Sequence, residues 1–179
     1  MEVVLDTVVL SHLLRSPRVT VTRADETKRI DGLSTITRAM QKRVLRFVLD
    51  QQGGLQTEWE QTCGEEAVKQ LINHWDQYSG VKLVTPMQSI RPSHASRRLR
   101  QLGFDGTIDK LIIRIALALH ERIIVSIDPD FWDPSEQRRV GDPAGSVVSL
   151  LRNELTITVI ILIAFIRMLI AKPQTASLN

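Results

Sequence analysis

Five short, mainly apolar runs, rich in β-branched side chains, punctuate the chain. They are residues 3–5 (VVL), 44–49 (VLRFVL), 81–84 (VKLV), 123–127 (IIVSI) and 157–160 (ITVI). Runs without polar alternation suit strands covered on both faces, as in a parallel sheet. Between them the apolar positions fall into a helical period. Over residues 56–78, Trp59, Cys63, Ala67, Leu71 and Trp75 recur at every fourth position, which predicts one long helix ended by Gly80. Residues 108–119 (IDKLIIRIALAL) are apolar nearly all round and predict a central helix. Residues 31–43 and 144–153 predict two more. Strands alternating with helices predict the α/β class: a three-layer α/β/α sandwich around a mostly parallel five-stranded sheet, with right-handed crossovers.

Two segments break this alternation. Residues 16–29 have many charges and no apolar period, and residues 129–143 carry three prolines and two consecutive arginines. Both are expected to be loops. The apolar residues 155–171 (LTITVIILIAFIRMLIA) contain Arg167. They are shorter than the roughly 20 residues a membrane span needs, and a mid-span arginine is unfavourable by about 2.5–3.5 kcal/mol. A strand running into a buried helix is the expected reading, with no membrane. The opening MEVVLDTVVL has an early acid and no basic segment, unlike a signal peptide. One domain over residues 1–171, with a short tail at 172–179, accommodates all of this.

Composition narrows the class. With 43% hydrophobic and 24% charged residues in 179, the chain is globular rather than disordered. Aromatic residues at 4% exclude a nucleic-acid surface made of rows of stacking rings. The lone Cys63 excludes a disulfide framework and a cysteine-rich zinc site, and it fits a reducing, cytoplasmic setting. Arginines outnumber lysines 17 to 6. Bidentate phosphate contacts favour that bias, and a GC-rich genome produces the same one.

The acids are placed unevenly. Asp6 directly follows the first strand, and Asp128 and Asp130 follow the fourth. Asp105 and Asp109 open the central helix, and Glu58 falls in the first turn of the long helix. Taken singly, these are N-cap, first-turn and turn-opening positions. Taken together, they collect on the edge where an open α/β sheet binds ligands. Gathered carboxylates repel one another, and a divalent cation relieves that. All-oxygen donors favour Mg²⁺ or Mn²⁺, and such a centre can activate water against a phosphodiester.

In this arrangement the chain resembles the PIN-domain nucleases, including the toxin-type ribonucleases. VVLDT resembles their opening strand–Asp motif, and LQTEWEQT their Glu–aromatic helix start. DKLIIRIALALHERIIVSIDPDFWDP resembles their Asp-led helix, a strand ending in Ser-x-Asp, and an Asp-Phe. The segment VVSLLRNELTITVIILIAFIRML resembles their last helix, strand and closing helix. The likeness spans roughly residues 2–170. It implies an endoribonuclease with Asp6, Glu58, Asp109 and Asp128 as catalytic metal ligands and Asp130 beside them. Asp105 competes with Asp109, while Thr7 or Ser11 and Ser126 support the site. RNA, with single-stranded DNA possible, is the implied substrate, and an antitoxin and a second copy of the chain are implied partners. The chain departs from the family in a longer basic stretch after the first strand and in Val8, where the family has Asn. A PIN-like module that binds RNA or protein without cleaving is the alternative.

The positive charge is segregated. Residues 91–100 (RPSHASRRLR) hold four arginines and no acid, and residues 15–46 hold nine basic and three acidic residues. The total of +3 therefore leaves a strongly acidic remainder that contains the carboxylate set. Arg91, Arg97, Arg98 and Arg100 are the expected phosphate grip, with a solvated helix face as the competing reading. Arg38, Lys42, Arg43 and Arg46 read as a solvated face. The four histidines show no ligand spacing. Cys63 reads as core, and Trp132 as wall packing.

Overall fold

The computed structural model describes residues 1–23, 26–132 and 146–171. In chain order the elements begin with β1 (Glu2–Leu5), α1 (Thr7–Arg15), β2 (Arg18–Arg23), β3 (Glu26–Asp31) and α2 (Gly32–Gln41). There follow β4 (Arg46–Asp50), α3 (Gly54–Cys63), α4 (Glu65–Asp76), β5 (Val81–Val84), α5 (Ser93–Gln101) and α6 (Thr107–Leu117). The last are β6 (Ile123–Val125), α7 (Pro129–Trp132), α8 (Ser146–Leu155), β7 (Thr158–Ile160) and α9 (Leu162–Ala171).

The five apolar runs form one parallel sheet in the order β5-β4-β1-β6-β7. In central β1, Val3, Val4 and Leu5 have no exposed surface. Each such side chain contributes about 1.5–3 kcal/mol by burial. The chain steps from β1 to β4 to β5 in one direction, then reverses to β6 and β7. With right-handed crossovers this places α1, α2 and α4 on one face and α5, α6 and α8 on the other. Helix α6 crosses β4, β1 and β6, while α9 returns to pack on α2. The architecture is the expected three-layer sandwich.

Three local expectations are corrected. Residues 16–29 are not a loop: β2 and β3 form an antiparallel ribbon registered from Arg18↔Asp31 to Arg23↔Glu26. Within that segment its covered face uses Val19 and Val21, 4% and 6% exposed, and Ile30 just beyond it packs against the core. Two apolar positions among charges leave no period to read. The predicted long helix is two helices, because Gly64 has φ +95°, a conformation no helix interior accepts. Beyond that break the buried positions of α4 are Val68 and Trp75, and Ala67 is exposed. The predicted loop at 129–143 begins with the short helix α7, and the rest of it lies outside the described residues, as does the tail at 172–179.

The apolar run 155–171 divides into β7 and the ten-residue α9, with Arg167 exposed. Among the described residues no helix is long and apolar enough to cross a membrane. Cys63 is half-buried against the core.

Candidate functional site: carboxylates at one sheet edge

The carboxyl ends of the strands are level. Leu5 pairs with Val125, Asp50 with Val84, and Val125 with Ile160. Asp6 takes the next position beyond β1, and its N–H donates to the Val125 carbonyl at 3.0 Å. It is 3% exposed. Ser126, fully buried beyond β6, donates its hydroxyl to Asp6 Oδ2. The same Oγ accepts the Asp128 N–H at 2.9 Å, and Asp128 Oδ1 accepts the Asp130 N–H at 2.9 Å. Ser126 therefore ties the end of β1 to the turn after β6. Thr7, beside Asp6, has a buried Oγ1 with no hydrogen-bond partner among the described residues.

The other carboxylates arrive on helices. Asp109 lies in the first turn of α6 and folds back over Gly106. A Cβ at Gly106 would sit 2.2 Å from Asp109 Oδ2, so glycine leaves the room the carboxylate occupies. Glu58 is half-buried on α3 and accepts a 3.4 Å bond from the Thr62 hydroxyl. It is one turn further into the helix than expected, because α3 starts at Gly54. The cause is Asp50, which the sequence reading missed. Only 2% exposed, it accepts the N–H groups of Gly54 at 2.9 Å and Leu55 at 2.8 Å. An acid closing an apolar strand just before Gly-Gly-Leu is the capping signal that could have revealed it.

The acids act on one another. Burial, assisted by the charges of Asp128 and Asp109 and opposed by the Ser126 hydrogen bond, pushes the Asp6 carboxyl up to about 7. Burial raises Asp109 to about 6, assisted by Asp128, Asp130 and Glu58 and opposed by Lys110. Asp130 is also raised, by burial and then by Asp128. Mutual perturbation of this kind makes these acids the candidate site.

Asp105 stands apart. It is 58% exposed and pairs with Lys110, which holds its carboxyl below the usual range. Of the two acids opening α6, Asp109 joins the crevice and Asp105 joins a surface ion pair. Among the described residues no three Asp, Glu, His or Cys side chains are gathered closely enough, as they stand, to hold a metal ion.

The basic stretch at 91–100 is acid-free in sequence but not in space. It forms α5, with Ala95 and Leu99 buried and the arginines outward. Glu154 of α8 binds Arg98, and it lies 3.0 Å from His94 Nε2. Asp105 lies 3.9 Å from Arg100 Nε. Arg91 and Arg97 make no ion pair with a described residue. Of the expected four-arginine grip, two arginines already have carboxylate partners.

The fold and site define an α/β sandwich with a carboxylate crevice at the carboxyl edge of its sheet. A family model described as the TilS substrate binding domain matches residues 29–91 of this chain. No curated protein and no solved structure matches it. The matched stretch runs from the end of β3 through α2, β4, α3, α4 and β5. It includes Glu58 but not Asp6, Asp109 or Asp128.

This finding overturns the PIN-domain resemblance and the endoribonuclease and toxin–antitoxin roles implied by it, because the matching family is a substrate-binding domain. The physical reason the resemblance misled is topological. Any open parallel sheet delivers the residues after its strands to one edge, so acids recurring there mark the architecture before they mark a chemistry.

Proposed function

We propose that this chain is an RNA-binding module whose acidic crevice takes a divalent cation, Mg²⁺ or Mn²⁺. The observation that carries the binding role is the match to a substrate-binding domain over residues 29–91. The first part of that stretch, residues 29–46, holds five basic residues and one acid, Asp31. Arg38, Lys42, Arg43 and Arg46 are all exposed there. A surface of this sign draws a phosphate backbone through counterion release.

The cation reading rests on the donor set. Asp6, Glu58, Asp109, Asp128 and Asp130 offer only oxygen, the donor type for hard divalent ions. Burial and mutual repulsion suppress ionisation of Asp6 and Asp109, and a nearby cation would restore it. The ion would neutralise the crevice and let a phosphate approach that edge.

Fluorescence anisotropy with a labelled single-stranded RNA and with total tRNA tests the binding role. Saturable binding that weakens with salt, with the RNA recovered intact, is the expected result. Absence of binding at low salt overturns it. Cleavage of the RNA in Mn²⁺ by the purified chain overturns the reading of binding without hydrolysis.

A further inference from the structure

Helices α2 and α4 lie side by side on the same face of the sheet and leave between them a groove of about 400 Å³. Leu33, Ser34, Thr37, Arg38 and Gln41 of α2 line one wall, and Leu71 and His74 of α4 the other. Every one of these residues lies within the stretch that matches the substrate-binding family. None belongs to the carboxylate crevice. The last turn of α2 feeds β4 and that of α4 feeds β5. The lining runs from the first turn of α2 to its last.

The lining is rich in donors and contains no acid. Arg38 is exposed in the last turn of α2 and makes no ion pair with a described residue. The Thr37 hydroxyl accepts the Trp75 indole N–H at 3.3 Å, which leaves its own proton to donate outward. The exposed His74 ring meets Tyr78 edge-on at 5.4 Å between centroids. Asp31, the nearest acid along α2, is committed to capping: its Oδ1 accepts the Ser34 N–H at 2.9 Å. Lys42 and Arg43 extend the positive charge just past the groove. Leu71 adds an apolar contact on the α4 wall.

From this lining we infer that the α2–α4 groove holds one nucleotide of a single-stranded RNA. Arg38 forms paired hydrogen bonds to the phosphate, Thr37 and Gln41 donate beside it, and His74 with Leu71 faces the sugar and base. A guanidinium fork matches the planar pair of phosphate oxygens. This deepens the RNA-binding reading and rests on it.

The test compares Arg38→Ala, His74→Ala and Arg152→Ala, the last removing one exposed arginine on α8. The probe is a fluorescein-labelled ten-nucleotide oligouridylate. Arg38→Ala is expected to weaken binding about fivefold or more. It should also flatten the slope of log K against log salt by about 0.7, the value for one single-strand phosphate contact. His74→Ala should weaken binding about threefold, and Arg152→Ala less than twofold. Unchanged melting temperatures establish that the variants fold. As a second measurement, the His74 ring proton resonances of the wild type should shift on adding the oligonucleotide. If the wild type binds but Arg38→Ala and Arg152→Ala lose the same affinity, or His74 does not shift, the groove assignment fails alone. If the wild type binds no RNA, the RNA-binding reading fails and takes the groove with it.

Discussion

Replacing Asp6 with Asn should stabilise the metal-free protein at neutral and alkaline pH. Asp6 is 3% exposed, and in the fold its carboxyl is raised from 3.8 to about 7. The folded state therefore holds that proton more tightly than the unfolded chain does. Stability from this group is fully present below about pH 4 and is lost as pH rises toward 7. A displacement of that size corresponds to roughly 4 kcal/mol at most, at about 1.4 kcal/mol per tenfold. Asp109, raised to about 6, titrates with the same sign. Because the two repel each other, their contributions do not add.

The Asn variant keeps an oxygen to accept the Ser126 hydroxyl and removes the charge. It should recover on the order of 2 kcal/mol at pH 8, or roughly 4–8 °C in Tm for a domain of this size. Thermal unfolding by circular dichroism from pH 5 to 9 in EDTA measures this. Wild type should lose stability between pH 5 and 8, and Asp6→Asn should lose less. Adding Mn²⁺ at pH 8 should raise the wild-type Tm, by about 2.7 kcal/mol of linkage at a hundredfold excess over Kd, and should raise the variant's less. A wild-type Tm that holds or climbs from pH 5 to 8 without metal, or an Asn variant less stable than wild type at pH 8, would refute the reasoning.

Two further outcomes follow from the same geometry. Asp50→Ala removes the acceptor for the part-buried Gly54 and the buried Leu55 N–H groups at the start of α3. It should lower stability by about 1–3 kcal/mol, read as a reduced midpoint in urea; an unchanged midpoint would show that water replaces the cap. Gly106→Ala puts a methyl where the Asp109 carboxylate sits. Its φ of −57° suits alanine, so the metal-free Tm should change little while the Mn²⁺-linked rise shrinks. An undiminished rise would remove Asp109 from the cation site.

The acidic crevice shows how far a linear reading reaches. Asp6, Asp109, Asp128 and Asp130 were all visible as acids at strand ends and helix starts, because a parallel sheet sends those positions to one edge. Choosing between Asp105 and Asp109 was not possible from spacing. It depended on Lys110 and Arg100 drawing Asp105 to the surface, and on Gly106 leaving room for Asp109. Asp50 was passed over because it ends an apolar run, where its bonds to Gly54 and Leu55 do not show. The family resemblance failed for a related reason: a motif order dictated by topology is shared by chains with different chemistry.

What the sequence alone determined about this protein is which segments are strands, and hence the α/β class, although edge strand β5 leaves Leu83 56% exposed. Apolar runs such as VVL and FVL are best satisfied inside a sheet covered on both faces. What the tertiary structure decided is everything that depends on segments far apart in the chain. The β5-β4-β1-β6-β7 order, the hold of Ser126 on Asp6 across 120 positions, and the neutralising of Arg98 by Glu154 across 56 are of this kind. Burial is a property each residue type carries with it, whereas pairing and charge compensation belong to neighbours that only the fold supplies.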